Sequence, residues 1–255
     1  MTSSPDNALS VQNLGVIFSD ASGVVHALDN LSFKLLPNEF VCLIGPSGSG
    51  KSTLLRVLAG LVEPTKGEFL FTKKNSRVGL VFQKANLMPW RRVIDNIWLP
   101  LELKSYPAEK IKERAQDMVK LVGLEGFEHA YPRDLSGGMA QRVAIARSLI
   151  QDPDILLLDE PFGSLDALTR ERMGEELLNI WHARRKTVLM VTHSISEAIY
   201  LADRVLVLSY RPGQIKLNLS VNLPRPRTPE MRYLPEFSEL AHQLRDSLRE
   251  ENGLT

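Results

Sequence analysis

The sequence predicts an α/β fold, a mostly parallel core sheet flanked by helices, carrying an N-terminal antiparallel β part and an inserted helical block. Three observations predict it. Strand-sized apolar runs such as Phe40–Ile44, Ile155–Leu158 and Thr187–Thr192 read as buried strands. Helical patterns alternate with them from Asp154 onward, and strand–helix alternation feeds a parallel sheet. From Val93 to Ile150 the pattern is instead mostly helical, with apolar spacing such as Met118, Leu121 and Val122.

The elements follow in order. Val11, Leu14, Val16 and Phe18 mark a first strand, and Ala27 to Phe33 a second after a loop at Ser19 to Gly23. Pro37-Asn38 turns the chain into the buried strand Phe40–Ile44. Leu54 to Leu61 reads as a helix stopped by Glu63-Pro64-Thr65-Lys66-Gly67. Glu68 to Thr72 and Val78 to Phe82 are further strands. The helical block is punctuated at Pro107, Gly123 and Pro132. Leu168 to His182 and Ser196 to Leu201 are helices, and Val205–Leu208 is a strand before the turn Arg211-Pro212-Gly213. Leu223-Pro224-Arg225-Pro226-Arg227 reads as an extended linker to an amphipathic helix, Phe237 to Glu251.

Composition bounds the function. The chain has 255 residues, room for one large α/β domain or two small ones. Its 31 basic and 30 acidic residues leave a net charge of +1, which offers no electrostatic footprint for nucleic acid or an anionic membrane surface. A single cysteine, Cys42, excludes an internal disulfide, and its place in a buried strand makes it core rather than nucleophile. No apolar run is long enough to span a membrane, and Met1–Asp6 lacks the regions of a signal peptide. The expectation is a cytoplasmic soluble protein.

Gly45-Pro46-Ser47-Gly48-Ser49-Gly50-Lys51-Ser52 fits the phosphate-loop pattern G-x-x-x-x-G-K-[ST] without a mismatch, after an apolar strand and before a helix. Its glycines let backbone amides approach phosphates, Lys51 compensates phosphate charge, and the Ser52 hydroxyl suits Mg²⁺. Leu135-Ser136-Gly137-Gly138-Met139-Ala140-Gln141-Arg142 supplies a second anion cradle, with small residues and free N–H groups at a helix start. One triphosphate seldom needs two cradles. Each therefore grips a different nucleotide, or the same nucleotide is shared with a partner subunit.

The apolar strand Ile155–Leu158 ends in two carboxylates at the edge where α/β sheets bind ligands. Successive residues of a strand point to opposite sides, so Asp159 would orient Mg²⁺ while Glu160 polarises an attacking water. Val188–Thr192 leads likewise to His193, whose imidazole can donate to a γ-phosphate oxygen and to Glu160. Gln83, following another apolar strand, can reach Mg²⁺ and water with a neutral amide. His26, His129, His182 and His242 read as structural or surface residues.

Together these residues resemble the ATP-binding cassette (ABC) family over nearly the whole chain. Gly45–Thr53 is similar to its Walker A motif, Gln83 to its Q-loop and Leu135–Gln141 to its signature. Ile155–Glu160 is similar to Walker B, Ser164-Leu165-Asp166 to the D-loop and His193 to the H-switch. The resemblance implies a P-loop NTPase (RecA-like) core, ATP and Mg²⁺ as ligands, and ATP hydrolysis. It implies nucleotide contacts from Gly45, Pro46, Ser47, Gly48, Ser49, Gly50, Lys51, Ser52 and Thr53. Metal contacts would come from Ser52, Gln83 and Asp159, and catalytic roles fall to Glu160, His193 and Gln83. In this family two subunits form a head-to-tail sandwich, so Ser136, Gly137, Gly138 and Gln141 would serve the partner's ATP. An aromatic for adenine stacking falls on Phe18, for which a core phenylalanine is the rival reading.

A narrower resemblance is to ATPases of bacterial nitrate, sulfonate and taurine importers. It rests on Leu87-Met88-Pro89-Trp90, Tyr131-Pro132, the stretch Asp159 to Arg170, the Arg211-Pro212-Gly213 turn and the Leu223–Arg227 tail. The implied partners are integral-membrane permease subunits, a second ATPase subunit and, indirectly, an extracytoplasmic solute-binding protein. The implied place is the cytoplasmic face of the cell membrane. Met88, Trp90, Val93 and Trp98 are the candidate groove for the permease, for which ordinary packing of the helical block is the rival reading. Where such chains commonly have Gly-Glu before the Walker A strand, this one has Asn38-Glu39, and Asn tolerates positive φ. The expected domain is single, residues 8–250. Its antiparallel part is roughly 8–40 and 62–82, its helical part roughly 84–150, and its C-terminal linker and helix 223–252. The alternative is a soluble non-transport ABC ATPase acting on nucleic acid or ribosomes.

Overall fold

A computed structural model describes residues 7–20 and 23–249. Met1–Asp6, two residues of the expected Ser19–Gly23 loop, and residues 250–252 of the expected C-terminal helix lie outside the described residues. The chain forms two compact units, one from residues 1–76 and 187–255, the other from 77–186.

In the first unit, β1 (Leu9–Asp20) pairs antiparallel with β2 (Gly23–Leu35). Strand β3 (Phe40–Ile44) is buried at all five positions and leads through a loop to α1 (Lys51–Leu58). Strand β4 (Lys66–Phe71) completes an antiparallel sheet of order β2-β1-β4.

The second unit begins with β5 (Val78–Val81), followed by α2 (Val93–Glu102), α3 (Ala108–Leu121) and α4 (Gly137–Leu149). Strand β6 (Ile155–Asp159) runs parallel to β5, and α5 (Ala167–Arg184) closes the unit. Helix α4 packs on α2, α3, α5 and β5. Strand β5 lies so near it that a Cβ on Gly79 would stand 2.3 Å from the Ser148 hydroxyl.

The chain then returns to the first unit. Strand β7 (Thr187–Val191) runs parallel to β3, α6 (Ile195–Leu201) packs on β3, and β8 (Arg204–Leu208) runs parallel to β3 on its other side. An edge strand, β9 (Ile215–Ser220), pairs antiparallel with β8, and α7 (Pro235–Arg249) buries Phe237 and Leu244. Strands β3 and β7 are continuous apolar runs because both their faces are covered.

The fold is α/β with mostly parallel core strands and a separate antiparallel sheet, as the sequence predicts. Four details differ. Val78–Val81, grouped by sequence with the antiparallel part, pairs in parallel with β6. Helix α1 starts at Lys51, three residues before the expected Leu54, because Gly50 at φ 92° turns the loop directly into the helix. Strand β9 was not expected, although its burial alternates strictly along Ile215–Ser220. The segment from Leu223 is not a loose linker. Arg225 donates to Asp203 (2.7 Å) and to the Leu201 carbonyl (2.7 Å), and Arg227, 7% exposed, donates to the Ala202 carbonyl (2.9 Å). Burial depresses the Arg227 pKa to about 10.

Candidate nucleotide site

The parallel register fixes which loops share an edge. In the first unit Leu43 pairs with Val191 and Ile44 with Val207. The loop after Ile44, the turn after Val191 and the turn after Leu208 therefore leave one edge of the sheet. These are the carboxyl ends of the strands, where open α/β sheets bind ligands.

The loop 45–52 is shaped by its glycines. Gly48 (φ 79°) and Gly50 (φ 92°) hold left-handed backbone, and a Cβ on Gly50 would lie 2.5 Å from Leu28 Cδ2 and 2.7 Å from the Ala27 carbonyl. Lys51 is 7% exposed, and its ammonium donates to the carbonyls of Gly45 (2.9 Å) and Pro46 (2.8 Å). Ser49 is fully buried, while Ser47 and Gly48 face solvent. The result is a cradle with its cation folded against its own carbonyls.

His193 is exposed on the turn between β7 and α6. That turn is braced locally: Thr192 Oγ1 donates to Glu197 (2.5 Å) and accepts from the Ser194 N–H (3.0 Å). Phe18 lies on β1 opposite Val25 and is 44% exposed, so it is not a core phenylalanine. Cys42 is buried, and burial pushes its thiol pKa well up, so it stays a protonated core group.

The second unit carries the carboxylates. Val81 pairs with Leu158, so Phe82-Gln83 and Asp159-Glu160 also leave a common edge. Gln83 Nε2 donates to Glu160 Oε2 at 3.3 Å. Gly163 permits this, since a Cβ there would stand 3.3 Å from both groups. Asp159 ends β6 at 8% exposure. Glu160 holds φ 45°, a left-handed conformation costly for glutamate, and such conformations persist where the surroundings enforce them.

The signature also lies in this unit. Ser136 caps α4, accepting from the Met139 N–H (3.3 Å), and Ser136 and Gly137 are exposed. Gly138 is buried against Thr169 and Met173, and a Cβ on Gly137 would meet Leu165 at 3.2 Å. The signature start thus rests on the D-loop and the first turn of α5. Asp166 caps α5 through the Thr169 N–H (3.0 Å), and hydrogen bonds from the Thr169 side chain first and then from this N–H hold its carboxyl below the usual range.

Gln141 points elsewhere. It is 4% exposed and donates to the Phe82 carbonyl (3.1 Å), so its amide is committed to the segment bearing Gln83. Arg147, which sequence reasoning missed, completes that link by donating to the carbonyls of Ala85 (2.7 Å) and Asn86 (2.9 Å). One helix therefore carries the signature at its start and holds the Q-loop backbone along its side. No local pattern marks Arg147; only the turn of α4 reveals it. Val93, expected in the receiving groove, is fully buried, because the first turn of α2 faces the helical block. Trp90 is 72% exposed, with Met88 and Trp98 half-buried.

The ABC transporter family profile matches residues 28–163. The chain is 50% identical over 248 residues to an ABC transporter ATP-binding protein of Methanocaldococcus jannaschii, covering 95% of this chain and 92% of that one. It is 45% identical to the aliphatic sulfonates import ATP-binding protein SsuB of Bacillus cereus (86% and 88% covered). It is 44% identical to the nitrate import ATP-binding protein NrtD of Synechocystis (94% and 95% covered). Among solved structures, a dimeric ATP-binding cassette in a post-hydrolysis state with ADP and Pi matches with TM-score 0.73 and 32% identity, covering 85% of this chain and all of that one. The fold and phosphate loop define a nucleotide-hydrolysing α/β ATPase. More narrowly, the chain belongs to the ABC transporter family.

Proposed function

We propose that this chain is the ATP-hydrolysing subunit of an importer for a small oxyanionic solute of the sulfonate or nitrate kind, at the cytoplasmic face of the cell membrane. The carrying observation is near full-length similarity to import ATP-binding proteins named for those two solute classes. Among the described residues no helix is long and apolar enough to cross a membrane, and the proposed importer carries its membrane path in permease subunits. The exposed Trp90, with half-buried Met88 and Trp98, is the surface for them. A solute-binding protein would act indirectly, through the permease.

In this reading residues 8–250 work as one ATPase domain. Backbone amides of residues 45–53 wrap the phosphates, Lys51 turns from its carbonyls to the β- and γ-phosphates, and Phe18 stacks on adenine. Glu160 takes a proton from the attacking water. Gln83, already hydrogen-bonded to Glu160, orients that water, and His193 donates to the γ-phosphate. Ser136, Gly137 and Gly138 complete the site of a second copy of the chain. The exposure of Ser136 and Gly137 at a helix N-terminus supports that role.

Ser52, Gln83 and Asp159 offer the oxygen donors that suit Mg²⁺, a hard cation that keeps waters and phosphate oxygens in its shell. Such a site needs no cage of acidic and histidine side chains, and none appears among the described residues. The ion, when bound, neutralises phosphate charge. The test of the transport reading is uptake of labelled taurine, an alkanesulfonate and nitrate in cells lacking the gene. Loss of one uptake, restored by the wild-type gene and not by Glu160→Gln, is expected. Unchanged uptake of all three contradicts the solute assignment.

A further inference from the structure

We propose that Arg211 is a further nucleotide-binding residue, meeting the phosphate end of ATP from the outer side of loop 45–52. The inference rests on the reading of that loop as an ATP cradle. The turn after β8 is built against the loop. Gly213 donates to the Ala27 carbonyl (3.0 Å) and accepts from the Asp29 N–H (3.1 Å), stitching the turn to β2. It also approaches the loop so closely that a Cβ on Gly213 would lie 2.1 Å from the Ser49 carbonyl oxygen. Ser209 Oγ donates to the Tyr210 and Pro212 carbonyls (2.9 and 3.0 Å) and accepts from the Gln214 N–H (2.8 Å). The backbone that carries Arg211 is thus held from three sides.

The side chain lies over Gly48. Arg211 Nε donates to the Gly48 carbonyl (3.1 Å), and Nη2 stands 2.9 Å from where a Gly48 Cβ would be. Gly48 holds positive φ, and a Cβ there would push the guanidinium above it aside. Both residues are exposed, and among the described residues no carboxylate pairs with Arg211. Lys51 places its charge on the inner side of the same loop, against Gly45 and Pro46. An uncompensated guanidinium on the outer side, with one of five N–H donors used, presents the planar fork that matches phosphate oxygens. A mere strut for the loop would need only the bond to Gly48.

Equilibrium binding of ATP, ADP and AMP to the full chain separates the two roles, using wild type, Arg211→Ala and Arg211→Gln at matched melting temperature. Glutamine can still donate to Gly48 and carries no charge. A phosphate contact predicts ATP affinity at least about tenfold weaker in both variants, from the net value of a charged hydrogen bond, with AMP affinity unchanged. Equal weakening for all three nucleotides, no weakening, or recovery in Arg211→Gln overturns the proposal. Failure of wild type to bind ATP, or indifference of binding to Lys51→Ala, would instead sink the cradle reading itself.

Discussion

Asn96 offers the sharpest quantitative test of how the segment after Gln83 is held. It is fully buried in the first turns of α2. Its Oδ1 accepts from the Met88 N–H (2.8 Å), and its Nδ2 donates to the carbonyls of Met88 (3.2 Å), Arg91 (3.0 Å) and Arg92 (3.0 Å). Asn96→Ala strands the Met88 N–H and withdraws a donor shared by three carbonyls. One stranded group costs about 1–3 kcal/mol, and the under-satisfied carbonyls add to it, giving about 3 kcal/mol in all. For a chain of this size that lowers the melting temperature by about 6–12 °C. Asn96→Asp should be no milder at neutral pH, since it sets a carboxylate against three carbonyl oxygens. Calorimetry of both variants is the assay. A shift below about 2 °C for Asn96→Ala would refute the claim that this side chain fixes the 88–92 turn.

Further outcomes follow from the site and its surroundings. Lys51→Ala should weaken ATP binding itself, read by nucleotide titration; unchanged affinity removes the lysine from the cradle. Ser136→Arg should leave ATP binding intact and block hydrolysis, and hydrolysis at the normal rate by that variant alone contradicts a signature acting on a second copy. Asp152 accepts from Lys186 (2.6 Å) and pairs with Arg77 (3.2 Å), and the Lys186 bond first, then the nearby charges, lower its pKa. Its folded pKa lies below the unfolded value, so its contribution is complete above about pH 4 and lost as pH falls further. Urea unfolding of wild type and Asp152→Asn should therefore differ at pH 6 and converge toward pH 3, and a constant difference would oppose the assignment.

What the sequence made legible, and what it hid, divides by the range of the interaction. The loop 45–52 was readable because its chemistry is local: glycines at positive φ, a lysine and a hydroxyl at fixed spacing. The buried strands β3, β6 and β7 were readable because two-sided burial leaves uninterrupted apolar runs. The partner of β5 was not, since neighbouring strands are chosen by the sheet and not by the four residues of the strand. Strand β9 carried an alternating signal that the preceding Arg211-Pro212-Gly213 turn masked. Gln141 was legible as part of a motif, yet its side chain is turned to the Phe82 carbonyl. Arg147 and Arg211 act on backbone carbonyls 61 and 163 positions away, a kind of contact no local pattern records.

The central claim is that this chain hydrolyses ATP with Glu160 as the general base in a site completed by a second copy. Glu160→Gln tests it most directly, because the amide keeps the size of the side chain and can still meet Gln83 while losing basicity. Turnover and sedimentation should be measured on the same preparation at saturating ATP and Mg²⁺. The account predicts retained ATP binding, hydrolysis slowed by about 10²–10⁴-fold, and a stable ATP-dependent dimer. Near-normal turnover, or a monomer at saturating ATP, would contradict it.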